Sequence, residues 1–111
     1  MKIDITSVDE ITIAKCIGPF DSTVAATVRQ KLSPIAKKGG KLILDLTEVE
    51  YTSSAGLQMI HSTYRDIANN VGKMVLVNPQ DSVMRVLETG GVPRVIPIFN
   101  DLESAIAELK K

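Results

Sequence analysis

The run Leu42 to Leu46, read as LILDL, is too short for a helix and too continuously apolar for a strand with one wet face. It fits a strand covered on both sides, the kind that lies in the middle of a largely parallel sheet. Such a strand needs helices on its faces and crossover connections to its neighbours, and helical spacing stands on either side of it. Upstream, Val24, Val28, Leu32 and Ile35 follow the N-cap types Asp21 and Ser22, and Gly39-Gly40 closes the element. Pro34 lacks an amide donor and predicts a kink or an early end there. Downstream, from Ala55 to Asn70, Leu57, Ile60, Tyr64 and Ile67 form one stripe of an amphipathic helix.

The pattern repeats. KMVLVN is a second buried-strand candidate ended by Pro79, and Asp81 or Ser82 can cap a helix carrying Val83, Val86 and Leu87 before Gly90-Gly91. RVIPIF reads as a last strand, confined to a sheet edge because Pro97 offers no ladder donor. Asn100, with Glu103 three residues on, resembles a capping box for a helix bearing Leu102, Ala105, Ile106 and Leu109. At the N-terminus two β-type runs, Lys2 to Ser7 and Glu10 to Ile17, flank a polar turn at Val8-Asp9 and predict a hairpin. The order is β-β-α-β-α-β-α-β-α: an α/β chain with a mixed, mostly parallel sheet flanked by helices. At 111 residues it has material for one domain, taken as residues 1–111.

Thirteen basic residues balance thirteen acidic ones, and four aromatics without tryptophan leave little for stacking bases, so nucleic acid is not an expected partner. No apolar run reaches the length of a membrane span, and MKIDITSVDE places acids where a secretion signal needs an apolar stretch, which predicts a cytoplasmic protein with no membrane partner. Cys16 is alone, so it predicts a buried small apolar residue rather than a disulfide or a zinc ligand.

Enzymatic constellations are missing. His61 is the only histidine and falls seven residues after Ser54 on the same expected helix. Two turns separate such positions by roughly 10 Å, too far for a nucleophile and its base. His61 is expected on the helix flank. One histidine and one cysteine give no metal-ligand set, and the glycine pairs lack the context of a phosphate cradle. The chain is read as a non-enzyme without cofactor or metal.

The stretch TSSAGL, Thr52 to Leu57, sits where the central strand gives way to a helix. Ser53 or Ser54 can cap the helix, a contribution of about 1 kcal/mol. Gly56 is less ordinary, since glycine inside a helix costs roughly 1 kcal/mol against alanine. Ala55 and Gly56 would keep the first turn small and leave the Ser54 hydroxyl open to a docking protein. A phosphate there would carry about −1.5 to −2 charge and meet the positive end of the helix dipole, so the fold should tolerate it.

Three stretches, GPFD at Gly18 to Asp21, LILDLTEVEY at Leu42 to Tyr51 and SSAGL at Ser53 to Leu57, resemble the STAS domains, and among them the bacterial anti-sigma-factor antagonists. The resemblance spans nearly the whole chain. It implies a partner switch: the unphosphorylated protein binds an anti-sigma factor and frees the sigma factor for transcription. The anti-sigma factor is itself an ATP-dependent serine kinase, which modifies the antagonist and ends the binding, and a phosphatase reverses it. Ser54 occupies the place of the modified serine. Asp21 matches an aspartate near the same corner that helps orient the serine or the kinase-bound nucleotide. Many kinase-regulated members have Asp immediately before that serine, where this chain has Ser53, itself an alternative phosphate acceptor. Other STAS domains are unmodified binding modules of sensory scaffolds or lipid-transport assemblies; a further alternative is a small-molecule sensor with a nucleotide or lipid bound near the strand-helix corner.

If Leu57, Ile60, Tyr64 and Ile67 face the sheet, then Gln58, Met59, Ser62, Arg65 and Asp66 face outward. The partner surface is therefore expected at Asp21, Ser53, Ser54, Gly56, Gln58, Met59 and Ser62. Met59, a flexible thioether, suits a surface that accommodates different partners, or is a lone exposed apolar residue.

Overall fold

In the computed structural model, which describes all 111 residues, the N-terminal runs form the expected hairpin, β1 (Lys2–Val8) antiparallel to β2 (Ile11–Ile17). The turn falls at Asp9 and Glu10, a residue later than expected, and both have positive φ, 49° and 67°. That geometry in a two-residue loop matches the twist of the paired strands. The chain then passes through α1 (Ser22–Lys38) to β3 (Lys41–Glu48), α2 (Ser54–Asn69) to β4 (Lys73–Val77), and α3 (Asp81–Thr89) to β5 (Ile98–Phe99), with α4 (Leu102–Leu109) last. The sheet runs β1-β2-β3-β4-β5, parallel from β2 onward, so LILDL lies in its central strand.

Residue alternation along β3 explains why that run is apolar on both faces. Leu42, Leu44 and Leu46 join Cys16, Met74 and Leu76 beneath Val28, Leu32, Ile60, Ile67, Val83 and Leu87 of the first three helices. Ile43 points the other way, with Ile11, Ile13, Val75 and Val77, toward Ala105 and Leu109 of α4. The middle of β3 and of β4 is thus covered by helices on both faces.

Four local expectations are corrected. α1 neither ends nor stops short at Pro34 but continues to Lys38, where Gly39 closes it at φ 69°. Pro34 lies on the exposed side while Leu32 and Ala36 are buried, so packing of the last turns outweighs one missing amide bond. Neither Asp81 nor Ser82 caps α3; Gln80 is its N-cap and makes no side-chain cap bond. Side chains there instead tie the start of α3 to the end of β3 and the connection after it, with Gln80 Nε2 donating to the Thr47 carbonyl and Ser82 Oγ to the Glu50 carbonyl, each at 3.0 Å. The expected strand RVIPIF shrinks to Ile98–Phe99, because Val92 and Ile96 are buried beneath the helices and Val92–Arg94 forms a 3-10 turn. β5 is an edge strand, as Pro97 required. Finally, Asp101 rather than Asn100 caps α4, accepting from the Ser104 amide at 2.7 Å. A ladder bond from the Asn78 amide to the Phe99 carbonyl keeps the chain extended and delays the helix by one residue.

The end of α2 carries a testable anomaly. Gly72 N–H donates to the Ile67 carbonyl and Val71 N–H to that of Ala68, which places Val71 where helix ends favour glycine. Val71 adopts φ 63° and is 92% exposed, so a β-branched side chain is held in the left-handed region with no packing to offset the cost. Val71→Gly should therefore raise stability by about 0.5–1 kcal/mol despite glycine's unfolded-state entropy. Urea denaturation checks this, and a midpoint unchanged or lowered would contradict it.

Candidate functional site

Past the end of β2, Phe20 forms an isolated parallel bridge with Thr52. Phe20 N–H donates to the Tyr51 carbonyl and Ser53 N–H to the Phe20 carbonyl, both at 2.8 Å. The next residues, Asp21 and Ser53, each cap a helix, so α1 and α2 begin side by side at one corner. Each N-terminus carries amides without intrahelical partners, and the two caps satisfy them differently.

Asp21 Oδ1 accepts from the amides of Thr23 at 2.9 Å and Val24 at 3.2 Å, and from the Thr23 hydroxyl. Chiefly the Thr23 hydroxyl bond, with the two amides, holds its carboxyl below the usual carboxylate range. Ser53, extended at φ −88° and ψ 175°, accepts from Gly56 N–H at 3.2 Å. The alternatives of the sequence thus separate: Ser53 is the half-buried cap, and Ser54 is the exposed first residue of α2, with its hydroxyl left out of the cap.

Gly56 is buried, which corrects its placement on the partner surface. A Cβ at this position would strike Thr52 Oγ1 and approach Phe20 Cβ to 3.0 Å and the Phe20 carbonyl oxygen to 3.1 Å. The bare backbone serves internal packing of α2 on the Phe20–Thr52 bridge. It clears no path for a docking protein.

Met59 is corrected as well. It is 3% exposed, and its Sδ accepts from the Thr63 hydroxyl at 3.4 Å. α2 packs on the sheet through Ile60 and Ile67 but also lies along α1, so its buried face takes in Met59 and Thr63, while Leu57 and Tyr64 are only half-buried. Above Met59 lies a shallow depression of about 210 Å³ between the helices, walled by Ala25, Ala26, Gln58 and Ser62. Gln58 is exposed and Ser62 half-buried, consistent with their expected placement, as is exposed Arg65. Asp66 is half-buried and pairs with Arg29 of α1 at 3.1 Å. Arg29, at the rim of the depression, was not among the expected site residues; only the packing of α1 on α2 brings it there.

His61 is half-buried on α2. Cys16 is buried under the helices, and burial pushes its thiol up to about 12, so it stays protonated and inert. No helix is long and apolar enough to cross a membrane.

Comparison with known proteins agrees with this architecture. Residues 2–105 match the family model of the STAS domain. BtrV of Bordetella bronchiseptica, a candidate anti-sigma factor antagonist, is 30% identical over 111 residues, covering 99% of this chain and 96% of BtrV. The anti-sigma-B factor antagonist of Bacillus subtilis is 28% identical over 89 residues, covering 80% of this chain and 82% of that one. Among solved structures, the unphosphorylated form of the anti-sigma factor antagonist SpoIIAA superposes with a TM-score of 0.84 at 18% identity, covering 98% of this chain and 96% of SpoIIAA. SpoIIAA has also been solved in a phosphorylated form, which superposes at 0.75 with 19% identity, covering 96% of this chain and 98% of that one. The chain belongs to the STAS domain family.

Proposed function

We propose that the protein is an anti-sigma-factor antagonist switched by phosphorylation of Ser54. In this reading it acts in the cytoplasm: unphosphorylated, it binds a cognate anti-sigma factor that is also a serine kinase and releases the sigma factor. Phosphate on Ser54 ends that binding and a phosphatase restores it. ATP belongs to the kinase, and the protein is substrate and ligand rather than catalyst. The names of its relatives support the antagonist role, and SpoIIAA supplies the precedent of a phosphorylated state.

The observation that carries the reading is the division of labour between the two serines. Ser53, immediately before the proposed acceptor, is occupied by the cap bond from Gly56 N–H. Ser54 is exposed and free of that duty. A kinase can reach its hydroxyl without unravelling the helix, and the added dianion lies at the positive pole of α2. Asp21, Ser53 and Ser54 form the rim, Gln58 and Ser62 continue the docking face along α2, and the small side chains of α1 let a partner approach closely.

Incubation with the cognate kinase and ATP should add one phosphate, located on Ser54 by peptide mass spectrometry and abolished in Ser54→Ala. Phosphate mainly on Ser53 or elsewhere would overturn the assignment. Recovery of transporter subunits in place of an anti-sigma factor in a pull-down would point to the other STAS class.

A further inference from the structure

A second groove runs beside Ser54, on the side away from α1. Its volume is about 450 Å³ and it lies between α2, which contributes Ser54 and Leu57, and α3, which contributes Arg85, Val86 and Thr89 before Gly90 closes it. Arg85 is the only charged residue lining it. Arg85 is exposed and pairs with no carboxylate; the five ion pairs of the fold are Lys2–Asp4, Lys15–Glu48, Arg29–Asp66, Lys110–Asp9 and Lys111–Glu108. The Arg85 backbone carbonyl is engaged by the Thr89 hydroxyl at 2.9 Å, while the guanidinium stays free.

We propose that the groove between α2 and α3 receives the phosphate carried by Ser54, with the Arg85 guanidinium as its counter-ion within the same chain. The inference rests on the reading of Ser54 as the modified residue. Its chemistry is that of a planar five-donor fork meeting a tetrahedral dianion, the pairing for which arginine is suited and lysine is only a point charge. The rest of the lining is uncharged, with the side chains of Leu57, Val86 and Thr89 and the bare backbone of Gly90 beside Ser54, so nothing anionic in it competes for the guanidinium. Gly90 is held close to Leu57, where a Cβ would meet the leucine side chain at 3.1 Å and closer, which keeps the α3 terminus against α2. The phosphate would occupy the Ser54 end of the groove and neutralise its one cation. Modification would then remove a surface feature from the partner's reach as well as add charge.

The test does not require the kinase. Phosphoserine is installed at position 54 by genetic encoding, and thermal midpoints are measured for Ser54 and phosphoserine proteins, each with Arg85, Arg85→Lys and Arg85→Gln. The proposal expects phosphate and Arg85 to be coupled. The midpoint change on phosphorylation should be more favourable by roughly 3–5 °C with arginine than with glutamine. Lysine should recover only part of it, and 1 M NaCl should shrink the coupling. Equal midpoint changes with arginine and glutamine, within about 1 °C, would overturn the proposal, as would full recovery by lysine combined with insensitivity to salt. Because the phosphoserine is placed directly, failure of the kinase to modify Ser54 bears on the proposed function alone, and absent coupling bears on Arg85 alone.

Discussion

Phe20→Ala should lower stability by about 3–5 kcal/mol, the cost of emptying a large aromatic site in a packed core, with a drop in Tm of roughly 10–20 °C for a domain of this size. Phe20 is fully buried and is the one aromatic residue among the buried core residues. Its position makes the loss reach further than volume alone. The backbone of Phe20 bridges Thr52, its carbonyl accepts from Ser53, and its Cβ lies against the site of Gly56. A cavity there removes the wall on which the first turn of α2 rests. Alongside the denaturation curve, hydrogen exchange at the Ser53 amide should accelerate relative to amides of β3. Phe20→Leu, which keeps most of the volume, should cost much less, about 1 kcal/mol. A cost under about 1 kcal/mol for the alanine variant would show that the corner is held by its backbone bonds and not by the ring.

Ser54→Asp should do the opposite: leave the fold nearly untouched and weaken the partner complex. An exposed substitution away from packing changes stability by about 0.5 kcal/mol or less, and a carboxylate in the first turn of a helix is mildly favourable. Against the proposed partner surface, which would receive a neutral hydroxyl, the buried charge should reduce affinity roughly 10- to 100-fold, about 1.4–2.8 kcal/mol. Calorimetric titration with the anti-sigma factor proposed as partner, beside a thermal melt of the free variant, reads both effects. Ser54→Ala should bind like the unmodified protein and remain bound when kinase and ATP are added. A melt lowered by many degrees in Ser54→Asp would assign Ser54 to the architecture of the helix, and unchanged affinity would remove it from the interface.

Much of this molecule is readable along the chain because its strands and helices differ in period. LILDL and KMVLV have no polar alternation, which only a strand buried on both faces tolerates, and they became β3 and β4. The corner at TSSAGL was legible for a similar reason: two small hydroxyl residues between a strand and an amphipathic stripe mark a helix start. What the residue types could not divide was the pair Ser53 and Ser54. Either can cap, and the choice follows from the bond of Ser53 N–H to Phe20, a residue 33 positions away on another crossover.

The same limit governs Met59 and Gly56. A helical wheel gives the direction of the apolar stripe but not the number of neighbours, and α2 has two, the sheet and α1, so its buried face is wider than its sequence pattern. Gly56 looked like a clearing for a visitor; the visitor is the chain's own Phe20–Thr52 bridge. Local periodicity and turn chemistry set the element order, the parallel sheet and the location of the serine corner, since these depend on backbone preferences within a few residues. Which hydroxyl is free, which methionine is hidden and which arginine stands beside Ser54 were decided by contacts between segments distant in the chain, where close packing leaves room for one arrangement and no local signal encodes it.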